Sequence, residues 1–202
     1  NPNLIVNGSF EDVSTSNFNG TIDWGYRNTN GKITGWTDLN GNRIEQHWDV
    51  QNGISAKDGF MLVDLDGFNT NSKMVQTVAG TAVGKTYDLT FSIADFDSAT
   101  SNDGVRVSWG GQVVYAGQPT AAWQTITIHV VGGAGDGSNT LMFEGTGTNL
   151  NTFDTALDDV SLRRSIETPI VGTDGDDTLP GTAGHDVFSG GLGNDTLTGG
   201  ED

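Results

Sequence analysis

The chain has 202 residues, with 26 acidic side chains against 9 basic ones and a net charge of −17. That balance repels phosphate and anionic headgroups, which excludes nucleic acid and a charged membrane surface as partners. The absence of cysteine excludes disulfide staples and thiolate metal sites, and 34% hydrophobic content excludes disorder for most of the chain.

The chain contains 30 Gly but only 4 Pro, and Asn, Asp, Ser and Thr separate its short apolar runs, so many tight turns are expected. From the N-terminus, strands are expected over Leu4–Val6, Ile33–Trp36, Arg43–Val50, Phe60–Leu65 and Lys73–Val78. Tyr87, Leu89, Phe91 and Ile93 then alternate with Thr86, Asp88, Thr90 and Ser92. Val105, Val107 and Trp109 alternate with Arg106 and Ser108, and Ile126, Ile128 and Val130 with Thr125, Thr127 and His129. Further strands are expected over Gln112–Tyr115, Thr140–Glu144 and Ala156–Leu162. A period of two buries one face of each strand and wets the other. Some ten such strands without a helical stretch predict an all-β, two-sheet antiparallel sandwich of the jelly-roll kind over residues 1–165. Residues 166–171, with Pro169, read as a linker, and a truncated parallel β-roll follows over 172–202.

Within the first region, Asn3-Leu4-Ile5-Val6-Asn7-Gly8-Ser9-Phe10-Glu11 resembles the opening strand of bacterial galactose-binding-like jelly rolls, the fold of many carbohydrate-binding modules. Ile33-Thr34-Gly35-Trp36, Val63-Asp64-Leu65-Asp66-Gly67, Val75-Gln76-Thr77-Val78, Gly84-Lys85-Thr86-Tyr87 and Leu157-Asp158-Asp159-Val160-Ser161-Leu162 follow in that family's order. The resemblance implies a structural calcium between the first and last strands, at Glu11 and Asp158, with Asn7, Asp12 or Asp64 completing its shell. Asp158 reads as sharing an inward face with Val160 and Leu162. A buried hydrogen-bonded carboxylate is the alternative.

The tail repeats every nine residues. Gly recurs at 172, 181 and 190 and again at 175, 184 and 193, Asp at 177, 186 and 195, and a large apolar residue at Leu179, Phe188 and Leu197. This pattern resembles the calcium-binding nonapeptide of RTX proteins. In such a repeat six residues make a turn lined by main-chain carbonyls and closed by the Asp, and three make a short strand. Each calcium then lies between turns two repeats apart. One well-formed Ca2+ site is expected between Gly172–Asp177, including Asp174, and Gly190–Asp195. A partial second is expected at Asp186. Pro180, and Thr173 and Thr182 in place of the second Gly, mark worn repeats. RTX arrays imply type I secretion, hence an extracellular or bacterial cell-surface location.

For ligand recognition the candidates are Trp24, Tyr26 and Arg27 in one segment and His47 and Trp48 in another, each combining an aromatic face with charge. Asp95 and Asp97, with Asp103, form an acidic loop suited to a further calcium. Trp36 and Trp123 read as core. No metalloprotease, nucleophile-elbow or Ser/His/Asp pattern is present, so a non-enzymatic module is expected. It would be a calcium-dependent adhesion or ligand-binding segment of a longer chain, monomeric in itself. Its partner would be an extracellular glycan or, alternatively, a surface protein or peptide end captured through calcium and Arg27 or Arg106. An accessory module of a polysaccharide-degrading enzyme and a calcium-stiffened spacer are further alternatives.

Overall fold

The computed structural model describes residues 1–12, 26–28, 32–41, 44–48, 53–65, 70–96, 104–147, 155–166, 169–182 and 186–200, with the main chain alone for 26–28 and 32. The chain divides into two compact units, Asn1–Arg163 and Arg164–Asp202.

The first unit is a sandwich of two six-stranded sheets. One sheet contains β1 (Tyr26–Asn28), β4 (Glu45–Trp48), β5 (Met61–Asp64), β12 (Thr155–Arg164), β7 (Thr86–Asp95) and β10 (Gln124–Val131), in that order across the sheet. The other contains β2 (Lys32–Ile33), β3 (Trp36–Asp38), β6 (Lys73–Thr77), β11 (Thr140–Gly145), β8 (Val105–Trp109) and β9 (Gln112–Gly117). Every pairing within these sheets whose register is defined runs antiparallel. The expected all-β sandwich is therefore the fold. No helix among the described residues is long and apolar enough to cross a membrane.

The alternation read from the sequence builds the core. Tyr87, Leu89, Phe91 and Ile93 of β7 face Leu141 and Phe143 of β11 and Val105 and Val107 of β8. An aromatic chain runs through it. Ring centroids are separated by 5.8 Å from Phe10 to Trp36, 6.0 Å from Trp36 to Phe143, 5.2 Å from Phe143 to Phe91 and 5.5 Å from Phe91 to Tyr115. Tilted and edge-on pairs of this kind add about 1 kcal/mol each to the burial of the rings.

Two expected strands are absent. Leu4–Val6 lies in irregular backbone and turns, because Asn7 and Phe10 adopt left-handed φ values of 52° and 59°. Leu4 N donates to Leu162 O at 2.9 Å, and polar side chains satisfy much of the remaining main chain. Gln76 accepts from Val6 N at 2.8 Å and donates to Val6 O at 2.9 Å, taking the place of a neighbouring strand. Asn3 Oδ1 accepts from Ile5 N and Leu162 N, and Asn7 joins Asp12 to Thr34 O. Ile33–Trp36 is a hairpin bend rather than a strand: Gly35, at φ 81°, turns β2 into β3.

The second unit holds two parallel pairs. β13 (Ile170–Val171) lies beside β15 (Phe188–Ser189), and β14 (Thr178–Pro180) beside β16 (Thr196–Thr198). Ile170–Val171, expected in the linker, thus form a strand of the roll. Pro180, expected to end its repeat, sits within β14 opposite Thr198. A two-stranded sheet tolerates the missing N–H there, and Gly181 N takes up Thr198 O at 2.6 Å.

Gly8 tests the opening segment. A Cβ at this position would collide with the Val160 carbonyl oxygen, whose strand Gly8 O binds through Val160 N at 2.9 Å. Gly8→Ala is expected to lower unfolding free energy by about 1–3 kcal/mol in urea titrations.

Candidate calcium coil and carboxylate sites

The repeat turns stack with a period of two repeats. Asp177 N donates to Asp195 Oδ1 at 3.0 Å, and Asn194 N to Asp176 Oδ1 at 2.7 Å, each pair 18 residues apart. Leu179 lies opposite Leu197, and Ile170 opposite Phe188. Four of the described repeat glycines, Gly172, Gly190, Gly191 and Gly193, sit where nothing larger fits. A Cβ at Gly172 would lie 2.8 Å from Asp177 Oδ2, and one at Gly190 would press on the Asp195 carboxylate. Gly191 packs on Thr173 O, and Gly193, at φ 117°, packs on Gly175. The two turns thus bring the Asp177 and Asp195 carboxylates, both half-buried, to the same stack of main-chain oxygens. Asp174 is exposed.

Thr173 and Thr182 have a local role. The Thr173 N–H and hydroxyl both donate to Asp177 Oδ2, at 2.6 and 2.9 Å. Thr182 does the same for Asp186, at 2.9 and 2.8 Å. Each threonine orients the carboxylate of its own turn. Gly191, the corresponding residue of the third repeat, instead takes φ 92°, which a threonine adopts only under strain.

In the sandwich, Glu11 and Asp158 converge on one loop. Glu11 Oε1 accepts from Phe60 N at 2.7 Å and Met61 N at 2.6 Å. Asp158 Oδ2 accepts from Lys57 N and Asp58 N at 2.7 and 2.9 Å, and its Oδ1 from Asp159 N at 2.7 Å. Main-chain amides thus partner both carboxylates, at the place where the resemblance implies a structural calcium. Asp158 does not share the face of Val160 and Leu162. Asp159, at φ 53°, interrupts the alternation, so Leu157 and Val160 both enter the core. Burial pushes the Asp158 carboxyl up to about 7, against the pull of its three amide donors.

Strand register brings two of the expected ligand segments side by side. Tyr26 lies opposite His47, and Arg27 opposite Gln46, on adjacent strands. His47 is fully buried, which removes it from any surface site. Trp48 faces the other way and packs against the main core. Adjacent residues of a strand cannot share a face, so His47-Trp48 is no composite platform. Asp95 ends β7 half-buried, its N–H on Thr120 O at 2.8 Å. Trp24, Asp97 and Asp103 lie outside the described residues.

Trp36 is core, but Trp123 is not in the main core. It is half-buried on the outer face of the first sheet, its indole N–H on Ser55 O at 2.9 Å. Along that face run three cross-strand polar pairs of β7 and β10: Ser92–Thr125 at 3.0 Å, Thr90–Thr127 at 3.0 Å and Asp88–His129 at 2.9 Å. The signal was present in the sequence, since Trp123 continues the polar phase of Thr125, Thr127 and His129.

Residues 171–202 match the family model described as the RTX calcium-binding nonapeptide repeat, in four copies. The tail is an RTX calcium-binding segment. Over 150 residues, 73% of its length, the chain is 31% identical to the multifunctional-autoprocessing repeats-in-toxin of Vibrio vulnificus, and it spans 2% of that protein. The apo form of a cyclase from Fischerella sp. matches with a TM-score of 0.51 at 14% identity, covering 79% of this chain and 94% of that one, and shows the sandwich fold. A CBM35 module from Paenibacillus barcinonensis gives 0.43 at 19% identity, over 72% and 100%.

The RTX segment fits its ion. Calcium takes six to eight oxygens, and the stacked turns offer carboxylates and main-chain carbonyls against glycine Cα atoms. Asp177 and Asp195 would hold it, and Asp186 would serve a second ion. Asp195→Asn removes half of the carboxylate charge at the first position. It is expected to weaken calcium binding at least about 10-fold by calorimetric titration of the full chain.

The raised Asp158 pKa predicts a pH dependence. Between the ordinary carboxyl value of 3.8 and about 7, the unfolded chain releases a proton that the folded chain keeps. Its contribution is therefore full below the lower value and is lost as pH rises through the upper one. In urea titrations with chelator, the wild type is expected to lose about 2–4 kcal/mol relative to Asp158→Asn between pH 4 and 7.5.

Proposed function

We propose that the chain is a calcium-dependent, extracellular, non-catalytic ligand-binding module of an RTX-type secreted protein, and that its ligand is a glycan. Two features in one chain support the setting: the RTX calcium segment, and a sandwich within the span that resembles the Vibrio repeats-in-toxin protein. Calcium sites of extracellular modules fill at roughly 10⁻⁴–10⁻³ M, so such a coil folds after export rather than before it.

The observation that carries the glycan reading is the row ending at Trp123. Sugars present an apolar ring face edged by hydroxyls. The outer face of β7 and β10 presents an indole in line with threonine, aspartate and histidine side chains already paired across the strands, with Ser92 buried beneath Thr125. A carboxylate-ended peptide held by calcium is the second reading, favoured by the acidity of the chain and by exposed Arg106.

A glycan array run beside a peptide panel, each with calcium and with EDTA, separates the two. Glycan signals that fall at least about 10-fold in Trp123→Ala are expected, since stacking on an aromatic ring supplies much of such an interface. Peptide signals alone, lost with EDTA and unmoved by Trp123→Ala, would transfer the function to the second reading. Turnover of a bound polysaccharide by the chain alone would make it an enzyme.

A further inference from the structure

Glu45, His47 and Asp64 form a second cluster of metal-ligating side chains, and its chemistry differs from that of the calcium coil. Glu45 and His47 lie two residues apart on β4, on one face. Register sets Glu45 directly opposite Asp64 of β5 and His47 opposite Leu62. The three side chains therefore share the sheet face turned away from the main core, beside Leu62, Ala94, Phe96 and Ala156. His47 Nε2 stands 3.2 Å from Glu45 Oε1 and 3.9 Å from Asp64 Oδ2, and one donor atom from each residue lies within 4.8 Å of the others. All three residues are buried, with relative exposures of 7%, 0% and 2%. The Phe96 ring, 5.3 Å from the imidazole, limits its rotation.

From this we propose that Glu45, His47 and Asp64 bind one divalent transition ion of the zinc class. Ligands at 2.0–2.2 Å around a tetrahedral zinc are about 3.4 Å apart, close to the two distances above. Calcium is a poor candidate, because it selects oxygen and the central donor here is an imidazole nitrogen. Like charges directly opposite each other in a sheet repel, and burial raises that cost. A divalent ion placed among the three donors attracts both carboxylates at once and relieves that repulsion. Three protein ligands leave a fourth position for water or an anionic ligand atom. The proposal rests on these side chains alone and is independent of the glycan reading.

The test uses the full chain, stripped of metal and then held in millimolar calcium so that the RTX segment is occupied. Cobalt(II) serves as a spectroscopic probe, followed by zinc competition. One cobalt per chain with intense visible bands of tetrahedral type is expected, displaced by one zinc. His47→Gln is expected to weaken zinc binding at least about 100-fold, and Glu45→Gln to weaken it as well. Absence of visible bands, displacement of the ion by millimolar calcium, or unchanged affinity in His47→Gln would overturn the proposal. Should both variants fail to fold, replacing His129 and His185 in the otherwise wild-type chain decides the matter. Retained binding supports the buried site, and lost binding refutes it.

Discussion

The structure is governed by what happens to a carboxylate when it leaves water in a chain of net charge −17. Each buried or half-buried acid must acquire a partner or remain protonated. Three kinds of partner recur. Main-chain amides hold Asp158 and also Asp38, whose oxygens accept from Asn40 N at 2.8 Å and Lys73 N at 2.7 Å, and they hold the exposed Glu11 in the same way. Basic side chains hold Glu144, which meets Lys73 Nζ at 2.9 Å and Arg106 at 3.0 Å. Calcium would hold the third group, the turn-closing aspartates of the RTX segment, which amides and threonine hydroxyls already orient. With 9 basic residues for 26 acidic ones, side-chain pairing cannot serve them all, and the amides and cations carry the remainder.

The same constraint shapes the described loop that precedes β5. The segment Lys57–Met61 is held by Glu11 on one side and Asp158 on the other. Those carboxylates do for the loop what a neighbouring strand does for a ladder. Gln76 and Asn3 treat the opening segment in the same way. Hydrogen bonds to charged acceptors contribute about 1.5–3 kcal/mol each; at Asp158 they lower the carboxyl value, and burial still outweighs them.

How much was legible follows from the same physics. Strands β7, β8, β10 and β11 were readable because their packing is apolar and period two is an unambiguous signal. The opening segment, the Thr34–Gly35 bend and the Asp158 face were not. Each depends on a residue with positive φ (Asn7, Phe10, Gly35 or Asp159) or on side chains that replace a strand's hydrogen bonds. A periodic pattern carries no record of either. His47 and Trp48 failed for the opposite reason: alternation already placed them on opposite faces, and reading them as one platform ignored it. The nonapeptide period was legible, because glycine spacing and aspartate spacing state the turn and its ligand together, whereas the strand at Ile170–Val171 and the continuation through Pro180 were not. Thr173 and Thr182 looked like decay, yet their hydroxyls brace the aspartates.

The two metal chemistries divide along donor type, and that division matters for how the protein assembles. The coil collects oxygens from exposed turns, so its ion arrives from outside and supplies folding energy to a unit with little apolar core of its own. Leu197, 48% exposed, shows how thin that core is. The Glu45–His47–Asp64 cluster sits instead in a sheet whose other face is packed by Val63, Leu157 and Phe91. Its geometry is set by strand register before any ion arrives. A site formed by the fold selects its ion by shape and donor, whereas a site formed by the ion selects the fold. The RTX segment is of the second kind, and the buried cluster is of the first.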